Sequence, residues 1–327
     1  MNFPFQKDIK LFYEKQSVKR AANLSGAAYC AMNILSFILS IAVTFAATAI
    51  LGYKKSLELL EEPNFLMLLQ IVLSALMFTL PFSIVAKAGR YKISAICEYK
   101  APKKELFWPL AALGLGFCSI GEIMTNIFAS TMSFFGIEPA GASLEFGDGL
   151  FGIILSTIGV AIIPPLVEEF AMRGVVMGMF RRFGDGFAIL VSAMLFGFMH
   201  GNLVQIPFAF VAGLGLAFVA IKSGSVWTAV FVHLLNNATA VLEEYLFRGL
   251  SEGTQQVIYL LIIAVYLIIG ILGLIVAHRR DGELFVLRKP DMEATLSRKI
   301  GWFFASPFII VSLIFTVIQI IIVQVGF

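Results

Sequence analysis

The chain is short of charge. Only 14% of its 327 residues are Asp, Glu, Lys or Arg, against about a quarter in a soluble domain. With 59% hydrophobic residues and a net charge of only +3, that deficit excludes an ordinary soluble globule, and nothing in it suggests a nucleic-acid partner. Cysteine is scarce as well. Cys30, Cys97 and Cys118 have no paired spacing, which argues against a disulfide framework or a CxxC site and leaves bland thiols. Histidine is limited to His200, His233 and His278, so any imidazole chemistry has few places to sit. No cleavable signal peptide is expected, because residues 1–23 are polar and the first long apolar run starts near Ala27. There is no soluble domain or long linker; the longest polar stretch is 279–300.

What the chain does have is long apolar runs. A spanning helix needs roughly 20 mainly apolar residues. Candidate spans fall at about 27–52, 64–86, 106–135, 149–172, 187–201, 204–221, 226–246, 256–277 and 302–325. The expected fold is therefore an all-α polytopic membrane protein with about nine transmembrane helices. Pro164-Pro165 is expected to kink or break the fourth. Basic residues orient the chain. With the N-terminus inside and the C-terminus outside, all but four of the 24 basic residues fall on the cytoplasmic side; the four are Lys54, Lys55, Arg248 and Arg173. The outer loop 136–148 carries only the acids Glu138, Glu145 and Asp148. The expected organisation is a cytoplasmic segment 1–26, either a surface helix or a tail, then three accessory helices within 27–135. A core of four helices (149–246) follows, then two C-terminal helices (256–325) separated by the cytoplasmic loop 279–300. An integral multi-pass protein of the cell membrane, with the lipid bilayer as its first partner, follows from this pattern.

Ionisable groups inside a bilayer cost at least about 2.5–3.5 kcal/mol each near its centre, so each is a functional candidate by default. Here they cluster mid-chain: Glu168, Glu169 and Arg173 in EEFAMR, Phe196 and His200 in FGFMH, and His233, Asn236 and Asn237 in HLLNN. Residues four apart share a helix face. Glu169 and Arg173 can then pair, leaving Glu168, about 100° around the helix, to face elsewhere. Phe196 and His200 share a second face, His233 and Asn237 a third. A carboxylate and two imidazoles suffice to hold and deprotonate a water. The bland alternative is a polar cluster that glues helices together.

EExxxR, then FxxxH, then HxxxN, in that order inside apolar spans, resembles the CPBP intramembrane peptidases. This CAAX protease and bacteriocin-processing (Abi) family includes the type II CAAX prenyl endopeptidases. The likeness covers about 149–246, and the stretch from Asn202 to Ala238 also resembles the family's connection between its second and third motifs. It implies an endopeptidase acting on a membrane-associated peptide or protein. Glu168 and His200 would activate water. His233 and Asn237 would complete the site and steady the oxyanion, and Glu169, Arg173 and Phe196 would support it.

A second EExxxRG copy, Glu243, Glu244 and Arg248, lacks both histidine motifs downstream and falls near the outer end of its span, so it is expected to be idle. Two opposed copies with a broken helix between them would instead suit a transporter, and an inactive membrane protein of the bacteriocin-immunity type is a third class. Glu122 in GFCSIGEIM either lines the same cavity or marks a bend at Gly121. No metal or other cofactor is assigned. A catalytic zinc usually takes three protein ligands; the candidates are His200, His233 and Glu168, and committing Glu168 as a ligand removes the best base. The residues lean toward a metal-free site.

Overall fold

The computed structural model describes residues 4–141 and 145–326. Residues 1–3, part of the expected cytoplasmic segment, and 142–144, part of the expected outer loop, lie outside the described residues, as does Phe327. The protein is an all-α polytopic membrane protein. Helix α1 runs over Pro4–Leu51, α2 over Tyr53–Leu60, α3 over Pro63–Ala88, α4 over Ile93–Ile96 and α5 over Lys104–Phe134. Then come α6 over Gly149–Phe183, α7 over Asp185–Phe198, α8 over Gln205–Ser223 and α9 over Val226–Phe247. The chain ends with α10 over Glu252–Arg280, α11 over Leu296–Phe304 and α12 over Pro307–Val325.

All nine expected segments are helical, with instructive differences. Among the described residues, seven helices are long and apolar enough to cross a membrane, and α7 and α9 of the nine expected spans are not among them. Helix α7 has 14 residues, a rise of about 21 Å against a hydrocarbon layer of roughly 30 Å. Its polar end is marked by Arg181, which reaches Asp185 at 3.2 Å and Glu98 at 2.5 Å. The other end, where His200 follows, therefore falls short of the opposite surface. The expected last span is two helices: Ser306 precedes Pro307, and proline's missing N–H and the restriction on its predecessor make this a helix start, not an interior. The N-terminal segment is neither a separate surface helix nor a tail. It continues into the first span as one helix of 48 residues, held by Glu14, which accepts the backbone N–H groups of Glu293 and Ala294 at 2.9 Å each.

Large apolar side chains such as Phe37, Phe45, Leu261, Ile268, Ile314 and Ile321 stand exposed along α1, α10 and α12. Patches of that extent are stable only against lipid. The core lies among α5 to α9. Helix α5 packs on both α8 and α10, α8 on α7, and α1 on α12 and α3. With no hydrophobic drive between helices in lipid, small residues permit the closest contacts. Gly116 of α5 meets Gly270 of α10 so tightly that an added Cβ at Gly270 would lie 2.5 Å from Gly116 Cα. The three cysteines are free and buried.

Candidate active site

The proline pair neither breaks nor sharply interrupts α6. Helix runs through it, and π-helical turns over Thr157–Ile162 and Phe170–Val176 bracket the α-helical stretch Ile163–Glu169. Pro164 has no N–H for the carbonyl four residues earlier, that of Val160, and its ring crowds that position. The helix widens, and Val160 O is left without its helical donor. Asn237 of α9 supplies one: its side-chain amide donates to Val160 O at 2.9 Å. The amide of HxxxN is thereby tied to the proline pair of another helix.

The widened helix presents its two glutamates differently. Glu169 is fully buried, and its Oε1 receives Arg173 Nη1 at 2.8 Å and His233 Nδ1 at 2.9 Å. Arg173, also buried, donates through Nη2 to Gly213 O at 3.0 Å. Its guanidinium lies 4.3 Å from the Phe196 ring centroid. Phe196 in turn meets the His200 and His233 rings edge-on, with centroids 5.3 and 5.6 Å away. Gly213 admits this close stack, since an added Cβ would lie 3.2 Å from the Phe196 ring. Arg173, Glu169, Phe196 and His233 thus form one continuous unit from three helices.

Glu168 points the other way. It lines a cavity of about 300 Å³ together with His200, His233, Asn237, Asn236 and Phe196. Its Oε2 lies 3.9 Å from His233 Nε2. His200 Nδ1 is 2.8 Å from Phe196 O. A carbonyl only accepts, so Nδ1 carries the proton and Nε2 keeps a lone pair. The carboxylate of Glu169 holds His233 Nδ1 as a donor in the same way. Past α7 the chain reverses at Gly201, at φ +62°. Asn202 fixes the reversal, accepting from Gln205 N at 2.8 Å and donating to His200 O at 2.9 Å. Non-helical backbone at membrane depth is tolerated where it lines such a cavity.

One wall comes from outside the 149–246 block. Glu122, Thr125 and Cys118 of α5 line the same cavity, and α5 remains a single helix through Gly121. Glu122 therefore takes the first of its two expected places. Thr125 and Gln205, also at the cavity, were not singled out from sequence. Thr125 was legible as the residue one turn from Glu122 on the same face; Gln205, the first residue of α8, left no signal. In the second motif copy, Glu244 and Arg248 lie at the surface, 3.9 Å apart. Arg248 instead reaches Asp148 at 2.6 Å and Phe146 O at 2.9 Å. Glu243 is half-buried beside a smaller recess shared with Glu122.

Residues 150–239 match the family model described as Type II CAAX prenyl endopeptidase Rce1-like. A Bacillus subtilis (strain 168) protein named "Putative membrane peptidase YdiL" is 27% identical over 96 residues, 29% of this chain and 39% of that protein. Over 150–239 the chain is thus similar to the CAAX proteases. The matched stretch holds Glu168 to Arg173, Phe196, His200, His233 and Asn237, and ends before Glu243. The chain spans about two fifths of the length of the curated relative it matches, and no solved structure matches it.

Both cavity histidines commit Nδ1 and free Nε2, an arrangement that metal-binding histidines share. Among the described residues, however, no three His, Cys, Asp or Glu side chains stand close enough together to hold a metal ion. The donors fall short of the usual three-ligand set.

Proposed function

We propose that the protein is an intramembrane endopeptidase that hydrolyses a peptide bond in a membrane-associated peptide or protein. The observation that carries this reading is the convergence of Glu168 of α6, His200 in the turn after α7, and His233 and Asn237 of α9 on one cavity. His200 Nε2 accepts a hydrogen bond from the attacking water. Glu168 takes the other proton as oxygen attacks the carbonyl carbon, and later returns it to the departing amine. Asn237 spends one N–H on Val160 O and has a second for the developing oxyanion. His233, supported at Nδ1 by Glu169, offers Nε2–H to the same oxygen when protonated. Glu169, Arg173 and Phe196 hold that geometry. The helices within 149–246 form the catalytic block, with 27–135 and 256–325 around it.

The deciding experiment compares membrane peptides from cells carrying wild-type and Glu168→Gln protein. Fragments that appear only with wild type support the reading. Equal peptide profiles with a difference in solute uptake favour the transporter, and equal profiles without one favour an inactive membrane protein.

The same proposal places the N-terminus and the 87–105 loop in the cytoplasm. Cys97 cannot report on this, because it is buried. A cysteine at exposed Lys103 is expected to react with an impermeant thiol reagent only after the membrane is opened, and a cysteine at exposed Glu244 in intact cells. The opposite pattern inverts the topology.

A further inference from the structure

His200 stands just past the end of α7, so its place depends on the turn that carries it. The hydrogen bond between its Nδ1 and Phe196 O is local, and the ring moves with residues 198–201. The last carbonyls of a helix have no intrahelical donor, and through them a neighbour can hold the helix end. Tyr29 of α1 does this. Its hydroxyl oxygen lies 2.8 Å from Phe198 O. Two oxygens so close need a proton between them, and a carbonyl has none, so Tyr29 is the donor. Thr316 of α12 lies 2.7 Å from the same hydroxyl. With the Tyr29 proton spent, Thr316 is the donor in that pair. Its other acceptors, Ser312 O at 3.2 Å and Phe198 O itself at 3.4 Å, are farther away. Tyr29 and Thr316 are 1% and 3% exposed.

A second contact reaches the other side of His200. Gly201 turns back at φ +62°, and a Cβ added there would lie 2.9 Å from Gln319 Oε1 of α12. Gln319 donates to Asn33 Oδ1 at 2.7 Å, and Asn33 donates to Tyr29 O at 3.0 Å. Four polar side chains of α1 and α12 therefore bear on the residues either side of His200. Polar side chains do join membrane helices to one another, and α1 and α12 have such a joint elsewhere, where Asn23 Oδ1 accepts from Phe308 N at 3.2 Å. The Tyr29 joint differs in ending on a third element, the end of α7. Both helices lie outside the matched stretch 150–239, and among the described residues neither lines the cavity.

We propose that Tyr29, backed by Thr316, is a positioning residue: by holding Phe198 O it sets where His200 Nε2 meets the attacking water. This rests on the peptidase reading and deepens it. A reacting group displaced by about 1 Å can cost roughly 100-fold in rate. Neither Tyr29 nor Phe198 lines the cavity, so the effect is expected in kcat and not in KM.

Tyr29→Phe in the full-length protein keeps the ring and removes the donor. In proteoliposomes, with rates counted per folded molecule, it is expected to lower kcat by about 10- to 100-fold with KM unchanged. Thr316→Val is expected to lower kcat less, and Thr316→Ser to restore it. Tyr29→Phe with Thr316→Val is expected to be no worse than Tyr29→Phe alone, because Thr316 acts through Tyr29. Asn23→Ala, which loosens the same two helices away from the turn, is expected to keep kcat. A second readout needs no cleavage: backbone hydrogen exchange at residues 199–202 is expected to speed up in Tyr29→Phe and not in Asn23→Ala. Wild-type kcat in Tyr29→Phe, or an equal loss in Asn23→Ala, overturns the proposal and reduces Tyr29 to a joint between helices. Unchanged exchange at 199–202 overturns it too. Faster exchange there, in a protein whose wild type cleaves no peptide, sinks the peptidase reading and leaves the hold on the turn standing.

Discussion

Two stretches of this chain have nearly the same residues and opposite circumstances. EEFAMRG at 168–174 lies in the packed interior, and EEYLFRG at 243–249 ends a helix near the surface. In the first, Glu169 and Arg173 are fully buried and 2.8 Å apart. In the second, the equivalent Glu244 and Arg248 are about half and one-third exposed and 3.9 Å apart. The spacing is i,i+4 in both, so local geometry does not separate them. Neighbours do. Arg173 finds Gly213 O, Phe196 and a glutamate shared with His233, whereas Arg248 finds a loop carboxylate and carbonyl. A string of residues is a site only where other helices bring it partners.

The largest expected effect is on catalysis. Glu168→Gln is expected to lower cleavage by about 100- to 10,000-fold, the usual contribution of a general base, with expression near normal. Glu243→Gln, the equivalent change in the second copy, is expected to stay within about twofold. Initial rates on one peptide in proteoliposomes measure both, and the reverse ranking would exchange the roles of the two copies.

Stability should split the copies next. Removing one partner of a buried pair strands the other charge, at about 3–5 kcal/mol. Arg173→Met is therefore expected to lose most of the folded protein. Arg248→Met removes a surface pair worth about 0–1 kcal/mol. Unfolding curves in matched detergent check this, and similar losses would erase the contrast between interior and surface.

A smaller effect tests the proline-widened helix that only the first copy has. Asn237→Ala leaves Val160 O unpaired, since Pro164 has no N–H to offer, and is expected to cost about 1–3 kcal/mol. Asn236→Ala removes no backbone partner and is expected to cost less. If adding Pro164→Ala does not recover part of the loss in Asn237→Ala, the amide does not serve that carbonyl.

The smallest expected effect is that of chelation. Purified active protein is expected to keep its rate within about twofold after exhaustive chelation, as a water held by Glu168 and His200 requires no ligand set. Stoichiometric zinc that disappears in His200→Ala, with activity restored by added zinc, would overturn this and reassign Glu168 from base to ligand.

Much of the architecture was legible before any coordinates, because lipid imposes a length and a polarity on every spanning segment. The nine apolar runs became helices for that reason. Errors arose where backbone chemistry outweighed hydropathy. Ser306-Pro307 divides an apolar run into α11 and α12, and Pro164-Pro165 is absorbed by π turns where a break was expected. Of the candidate site, Glu168, His200, His233 and Asn237 could be named from spacing, since helical periodicity puts i and i+4 on one face. Glu122 could be noticed as a charge in an apolar run but not placed. Glu243, expected near the outer end of its span, is half-buried beside a recess it shares with Glu122.

By itself the sequence determined that this chain crosses a membrane many times as helices, and which intramembrane polar groups need a reason to be there. Those properties are set by transfer free energies and by the 3.6-residue period, both local to a segment. Tertiary structure alone decided that Glu169 is shared between Arg173 and His233, that Asn237 serves a carbonyl freed by a proline 73 positions earlier, and that α5 closes the cavity with Glu122 and Thr125. Those are contacts between helices far apart in the chain. In lipid they are selected by small-residue packing and by the need of each buried polar group for a partner, and neither is written in the spacing of any single helix.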